Sequence, residues 1–137
     1  MSIFSAINIS GSGLSTFRTW VDTLANNIAN VNTVRPTSGN AFQAAYVQAQ
    51  SLPGAADGTG GGVQGVVMNQ GDPKGVLTYQ PSNPLADAKG YVRLPDIDVG
   101  EQMGNLIMAQ RGFQANAAVI DRARSTYQDA INIGKNR

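Results

Sequence analysis

The sequence predicts a mainly α chain with a small β insert: N- and C-terminal helices paired as a coiled coil, with a short β-containing lobe between them. Three observations predict it. All six prolines lie between residues 36 and 95, and proline breaks helix interiors, so the two flanks are the natural helical segments. The same middle stretch holds ten of the sixteen glycines, a composition suited to turns and short strands. Both flanks place apolar residues at alternating steps of four and three, the stripe of a coiled-coil seam. The division is 1–35 for the first helix and its exit, 36–95 for the insert, and 96–137 for the second helix, with the two flanks forming one helical unit.

In the first flank the stripe runs Ile3, Ile7, Ser10, Leu14, Phe17, Val21, Leu24, Ile28, Val31, and eight of these nine positions are apolar. Gly11 and Gly13 interrupt it early, each at about 1 kcal/mol relative to alanine, so the helix is expected over 12–30. A solvated helix face normally carries Glu and Lys. This one carries Ser, Thr, Ala and the amides Asn26, Asn27 and Asn30, with Arg18 and Asp22 its only charges before Arg35.

The insert reads as short strands and turns. Residues 42–46, 63–68 and 76–79 have strand character, and 55–62 is a glycine-rich loop expected to be mobile. Asn83-Pro84 and Lys89-Gly90 mark turns on either side of 85–88.

The second flank opens after Pro95. Asp98-Val99-Gly100-Glu101 reads as a capping box, in which the Asp98 carboxylate takes a free helix N–H and Glu101 reaches back to the Asp98 N–H. From there the stripe runs Val99, Met103, Leu106, Gln110, Phe113, Ala117, Ile120, Arg124, Tyr127, Ile131, Gly134, with eight of eleven positions apolar. The helix could extend for roughly 36 residues, about 54 Å, although Gly104 and Gly112 leave it marginal in isolation.

Several classes of chemistry are excluded by what is missing. Ten Lys/Arg against nine Asp/Glu is too even for a nucleic-acid footprint. There is no His and no Cys, which removes the usual general base, thiol nucleophiles, disulfides and the commonest metal ligands. Asp96, Asp98 and Glu101 form an acidic cluster, but the cap role accounts for two of them, and no cofactor or metal is expected. Gly58 to Gly65 lacks the Gly-Lys-Ser/Thr of a phosphate loop. The first charge is Arg18 and no apolar run approaches a span. Neither a cleavable signal nor membrane insertion is therefore expected, and the chain stays in the cytosol or leaves by a specialised route.

Only 14% of residues are charged, low for a domain that faces water on all sides. The two seams are Ile7, Leu14, Phe17, Val21, Leu24, Ile28 and Met103, Leu106, Phe113, Ile120, Tyr127, Ile131. Burying one large apolar side chain is worth roughly 1.5–3 kcal/mol. The insert is too small to cover both seams, so the helices bury each other, or a neighbouring subunit buries them, or both. A closed helical hairpin acting as a soluble adaptor or export-related binding protein is the alternative.

Specific residues extend this reading. Asn26-Asn27-Ile28-Ala29-Asn30-Val31-Asn32-Thr33 resembles the N-terminal signature of the bacterial flagellar rod and hook family, and Arg111-Gly112-Phe113-Gln114-Ala115-Asn116 resembles its C-terminal counterpart. Gly112 departs from that pattern, where a residue with a side chain is more usual. The run holding Asn83, Pro84, Asp87 and Gly90, continued by Tyr91-Val92 and Pro95 to Val99, is similar to rod members of the family. The resemblance implies a non-enzymatic structural subunit of the proximal rod, exported unfolded through the type III channel without a cleavable signal. It implies assembly in the periplasm into a hollow torque-transmitting shaft through the terminal helices. The implied partners are copies of the chain, other rod proteins, and membrane-ring and export-gate components at the rod base.

Overall fold

A computed structural model describes residues 3–54 and 60–135; most of the glycine-rich loop expected to be mobile lies at 55–59, outside the described residues. Helix α1 spans Ile3–Asn30 and helix α2 spans Val99–Lys135, about 42 Å and 56 Å long at the α-helical rise. Between them come β1 (Ala45–Ser51), β2 (Val63–Asn69), β3 (Val76–Tyr79) and β4 (Tyr91–Leu94). The strands form two separate antiparallel pairs. β1–β2 is in register from Ala45–Asn69 to Ser51–Val63, and β3–β4 from Val76–Leu94 to Tyr79–Tyr91. A mainly helical chain with small antiparallel sheets is thus what the sequence builds.

α1 is the shared spine. It packs on α2 and on the β1–β2 hairpin. Asn27 faces Gln102, Phe17 faces Gly112, Gly13 faces Asn116, and Phe4 stacks edge-on to Tyr127, so the two helices run antiparallel. The hairpin lies lengthwise along α1, with Ala45 at Asn27 and Val63 at Ser12 and Thr16. The β3–β4 pair is held where the chain leaves α1: Arg35 and Arg93 exchange backbone N–H···O bonds, both 2.9 Å.

The buried apolar residues are mostly small. Among the described residues they are Leu24, Val92, Pro95, Ala41, Ala44, Ala45 and Ala109. Ser10, Thr16, Thr23, Asn27 and Gln102 are buried beside them. Backbones therefore approach closely, and glycine marks where. A Cβ on Gly13 would lie 2.8 Å from Asn116 Oδ1, and one on Gly112 would overlap the Phe17 ring.

This close approach explains the first departure from expectation. α1 begins at Ile3, not near residue 12, and runs straight through Gly11 and Gly13. Tertiary contact at Gly13 compensates the helix propensity that glycine forfeits. β1 occupies Ala45–Ser51 in place of 42–46, because the helix side chain Asn27 pins the strand's first residue. β4 was not foreseen: its partners Val76–Tyr79 and Arg35 are remote in sequence. The return from β3 to β4 uses Gly90 in the left-handed region (φ +83°), where a Cβ would also press on the Tyr79 ring.

The two α2 glycines make a test. Gly104 has open space around it and Gly112 does not. Gly104→Ala should stabilise by about 0.5–1 kcal/mol through helix propensity. Gly112→Ala should lose about 1–3 kcal/mol through overpacking on Phe17. Urea unfolding midpoints moving in opposite directions would show this; equal upward shifts would not.

Candidate functional site

The sequence offers two kinds of candidate, apolar seam positions and amide-rich motif positions, and the structure separates them. On α1, Leu24 is buried (2% exposed), and Ile7, Leu14, Phe17, Val21 and Ile28 are half-buried. On α2, Leu106 and Ile120 are half-buried, but Met103, Phe113, Tyr127 and Ile131 are exposed. The α2 residues buried in the chain are Gln102 and Ala109. The face of α2 that meets α1 therefore passes through Gln102, Ala109, Asn116 and the half-buried Ala123, at seven-residue spacing but without large side chains. A search for apolar periodicity cannot see this track. Its signal is the recurrence of small and amide residues, matched on α1 by Gly13 and Asn27.

Several large apolar residues of α2 nonetheless keep a third or more of their surface open. Met103, Ile107, Met108, Phe113, Val119 and Tyr127 are each more than a third exposed, and Ile133 reaches 71%. Ile107, Met108, Val119 and Ile133 lie off the heptad stripe and were not anticipated. Residues 128–135 extend about 12 Å beyond the Phe4–Tyr127 contact. An open groove of about 530 Å³ runs between the helices, lined by Arg18, Val21, Gln110, Phe113 and Gln114. Arg18 lies 4.0 Å from Asp22, both highly exposed, and such a pair adds little stability.

The motif asparagines have distinct roles. Asn27 is fully buried and bridges three elements. Its Nδ2 donates to Ala45 O at 2.8 Å and to Gln102 Oε1 at 2.9 Å, and its Oδ1 accepts from Ala45 N–H at 2.9 Å. Asn30 Nδ2 donates to Asn26 O and Oδ1, and Asn30 Oδ1 accepts from the Thr33 hydroxyl, which closes the end of α1. Asn32 is exposed in the turn that follows. Asn116 Nδ2 donates to Gly112 O and packs over Gly13. Arg111 is exposed. At the start of α2 the Asp98 Oδ1 accepts from the N–H groups of Gly100 (2.7 Å) and Glu101 (3.2 Å), while Glu101 itself is exposed.

The run around Asp87 is a turn system. Asn83 Oδ1 accepts from Leu85 N–H across Pro84, and Asn83 Nδ2 donates to Gln80 Oε1. Asp87 Oδ1 accepts from the N–H groups of Lys89 (2.9 Å) and Tyr91 (3.0 Å), and Oδ2 from the Thr37 hydroxyl. These bonds hold the Asp87 carboxyl below the usual carboxylate range. The Tyr91 N–H contributes most; the Lys89 N–H, Thr37 and the Lys89 charge act with it, against partial desolvation. Among the described residues no three acidic side chains are grouped so as to hold a metal, and no helix is long and apolar enough to cross a membrane.

Comparison with known proteins bears on this surface. Residues 7–37 match the family described as flagella basal body rod protein, and residues 88–133 that described as flagellar basal body rod FlgEFG protein C-terminal. The chain is 36% identical over 137 positions to the flagellar basal-body rod protein FlgC of Escherichia coli O6:H1, covering 98% of this chain and 100% of the relative. It is 32% identical over 149 positions to the protein of that name in Borreliella burgdorferi, with 97% and 98% covered. For the Bacillus subtilis protein the figures are 29% over 150 positions, 98% and 100%.

Two outcomes follow from the polar contacts. Asn27→Ala orphans Ala45 N–H, Ala45 O and Gln102 Oε1, and should cost about 2–4 kcal/mol. A Gln102→Ala background should reduce that cost, read by a double-mutant cycle in urea; strict additivity would deny the bridge. Because Asp87 titrates lower folded than unfolded, its bonds stabilise the turn above the range of a free carboxyl. That contribution is lost as pH falls through the folded value. The Tyr91 amide resonance should shift with a midpoint below that of a free aspartate, and Asp87→Ala should abolish the step.

Proposed function

The chain belongs to the family of flagellar basal-body rod proteins and serves as a structural, non-enzymatic rod subunit, and we propose that it builds the proximal part of the rod by packing the outward face of α2 against neighbouring subunits. The carrying observation is the row of exposed apolar side chains on α2, from Met103 through Phe113 to Ile131. Each is already about half covered, so full burial would add roughly 1 kcal/mol apiece. In an isolated molecule they are only partly covered; in a polymer, sister helices complete the burial. The seam residues Ile7, Leu14, Phe17, Val21, Leu24 and Ile28 then support α1 from within, and Met103, Phe113, Tyr127 and Ile131 complete a coiled-coil contact between copies. The flanks 1–35 and 96–137 act as the axial unit, and 36–95 as an outer lobe.

Close packing resists slip, because interiors are as dense as organic crystals. A shaft built this way transmits torque. The reading extends to export through the type III channel, assembly in the periplasm, and contact with ring and export-gate components at the rod base. The low charge of α1, with Arg18 and Asp22 its only ionised groups, suits a helix enclosed by other protein.

Met103→Asp tests the face with less burden on the fold than Phe113→Asp, since Met103 is 49% exposed whereas Phe113 is 38% exposed and lines the groove with Val21. The purified variant should keep its helical circular dichroism. In cells it should fail to enter basal bodies and abolish swimming on soft agar. A folded variant that swims normally would remove the α2 face from assembly.

A further inference from the structure

We propose that the overhanging end of α2 in one copy of this chain seats in the groove between α1 and α2 of the next, with Asp129 on Arg18 and Ile133 against Val21 and Phe113. The proposal deepens the rod-subunit reading and rests on it.

α2 outruns α1. The antiparallel register set by Asn27 with Gln102 and Gly13 with Asn116 brings Tyr127 to Phe4, at the start of α1. Residues 128–135 continue as helix past that point, and every one of them is exposed. Ile133, at 71%, is the most exposed large apolar side chain among the described residues. Helix positions four apart share a face, so Asp129 and Ile133 form one ridge, a carboxylate followed one turn later by an aliphatic knob. Tyr127 and Ile131 lie nearly opposite, on the face that meets Phe4.

The groove of about 530 Å³ offers the converse. Val21 and Phe113 give it an apolar wall, Gln110 and Gln114 a polar rim on α2, and Arg18 a cation. Arg18 and Val21 lie about one turn apart on α1, the same spacing as Asp129 and Ile133. The Arg18 side chain is 78% exposed and reaches Asp22 only at 4.0 Å. Its guanidinium carries several donors, so it can receive a second carboxylate.

The chain itself supplies the matching occupant. Its described helices hold four carboxylates, Asp22, Glu101, Asp121 and Asp129. Within those helices only Asp129 has a large apolar side chain three or four residues away. Asp22 already stands beside Arg18, whereas Asp129 has no ion-pair partner among the described residues. One copy cannot fill its own groove, because Gln114 and Ile133 are more than five turns apart on one continuous helix, about 28 Å. Tail and groove are different surfaces, so each copy keeps one of each free for a further neighbour.

The chain has no cysteine, so a cross-link can be read without background. The full-length double variant Gln114→Cys/Ile133→Cys is expressed in a motile bacterium lacking its own copy, and isolated basal bodies are oxidised. Disulfide-linked multimers of the chain are expected, since the two sites of one copy are too far apart to bridge. Neither single variant should give any. Dimers from Ile133→Cys alone, or linkage only to a different protein, would overturn the pairing of tail with groove. A charge exchange is an independent check. Arg18→Glu or Asp129→Lys alone should lower incorporation into basal bodies about tenfold, and the two together should restore it. Both side chains are exposed, so helical circular dichroism should not change. Losses that the exchange does not restore would also overturn the proposal, because the groove then answers to another partner. If every variant enters basal bodies at the normal level with no cross-link, the tail contact fails and the rod reading stands. If the unmodified chain is absent from basal bodies, the rod reading itself fails.

Discussion

One buried amide ties the chain together. Asn27 sits near the end of α1, fully enclosed, and gives hydrogen bonds in two directions at once, to the first residue of β1 and to Gln102 on α2. A carboxamide is the side chain suited to this place. It presents a donor and an acceptor side by side, as a peptide group does, so it can meet both backbone groups of Ala45 while its second N–H reaches the other helix. A leucine of similar size would strand those groups, and an aspartate would bring a charge into a site with no cation. Buried polar groups are costly unless satisfied and specifying once they are. Here the satisfied network sets where β1 starts and how α2 is registered against α1.

That polar bridge belongs to a wider choice of small residues for the inside. Gly13 under Asn116, Gly112 under Phe17, and the alanines of the core let backbones come close. Close contact between small residues holds the helices in a defined register but buries little apolar area. Several large side chains of α2 keep a third or more of their surface open. A chain arranged in this way keeps part of its stabilisation in reserve, and partners that bind only the folded form release it by mass action. A structural rod subunit is well served by such a division.

The insert follows a different logic, that of local turns. Asn83, Asp87 and Gly90 satisfy their own neighbourhood within a few residues. Arg93 reaches further: its guanidinium donates to Lys74 O and Thr37 O, joining three stretches of the insert. These bonds tie stretches of the insert to one another.

Much was legible before the fold was seen. Proline and glycine placement located both helices, the Asp98 cap marked the start of α2, and the turns at Asn83-Pro84 and Lys89-Gly90 lay where expected, because each depends on residues close in sequence. The amide-rich motif was visible too, though not what its members do. The tertiary structure alone decided which face of α2 turns inward, since Gln102 and Ala109 are chosen by what stands opposite them, not by their own hydrophobicity. It alone produced β4 and the early start of α1, because the stabilising contacts come from partners dozens of residues away. Local composition determines where a backbone can be helical or must turn; only three-dimensional contact determines which side chains a helix hides and which it offers.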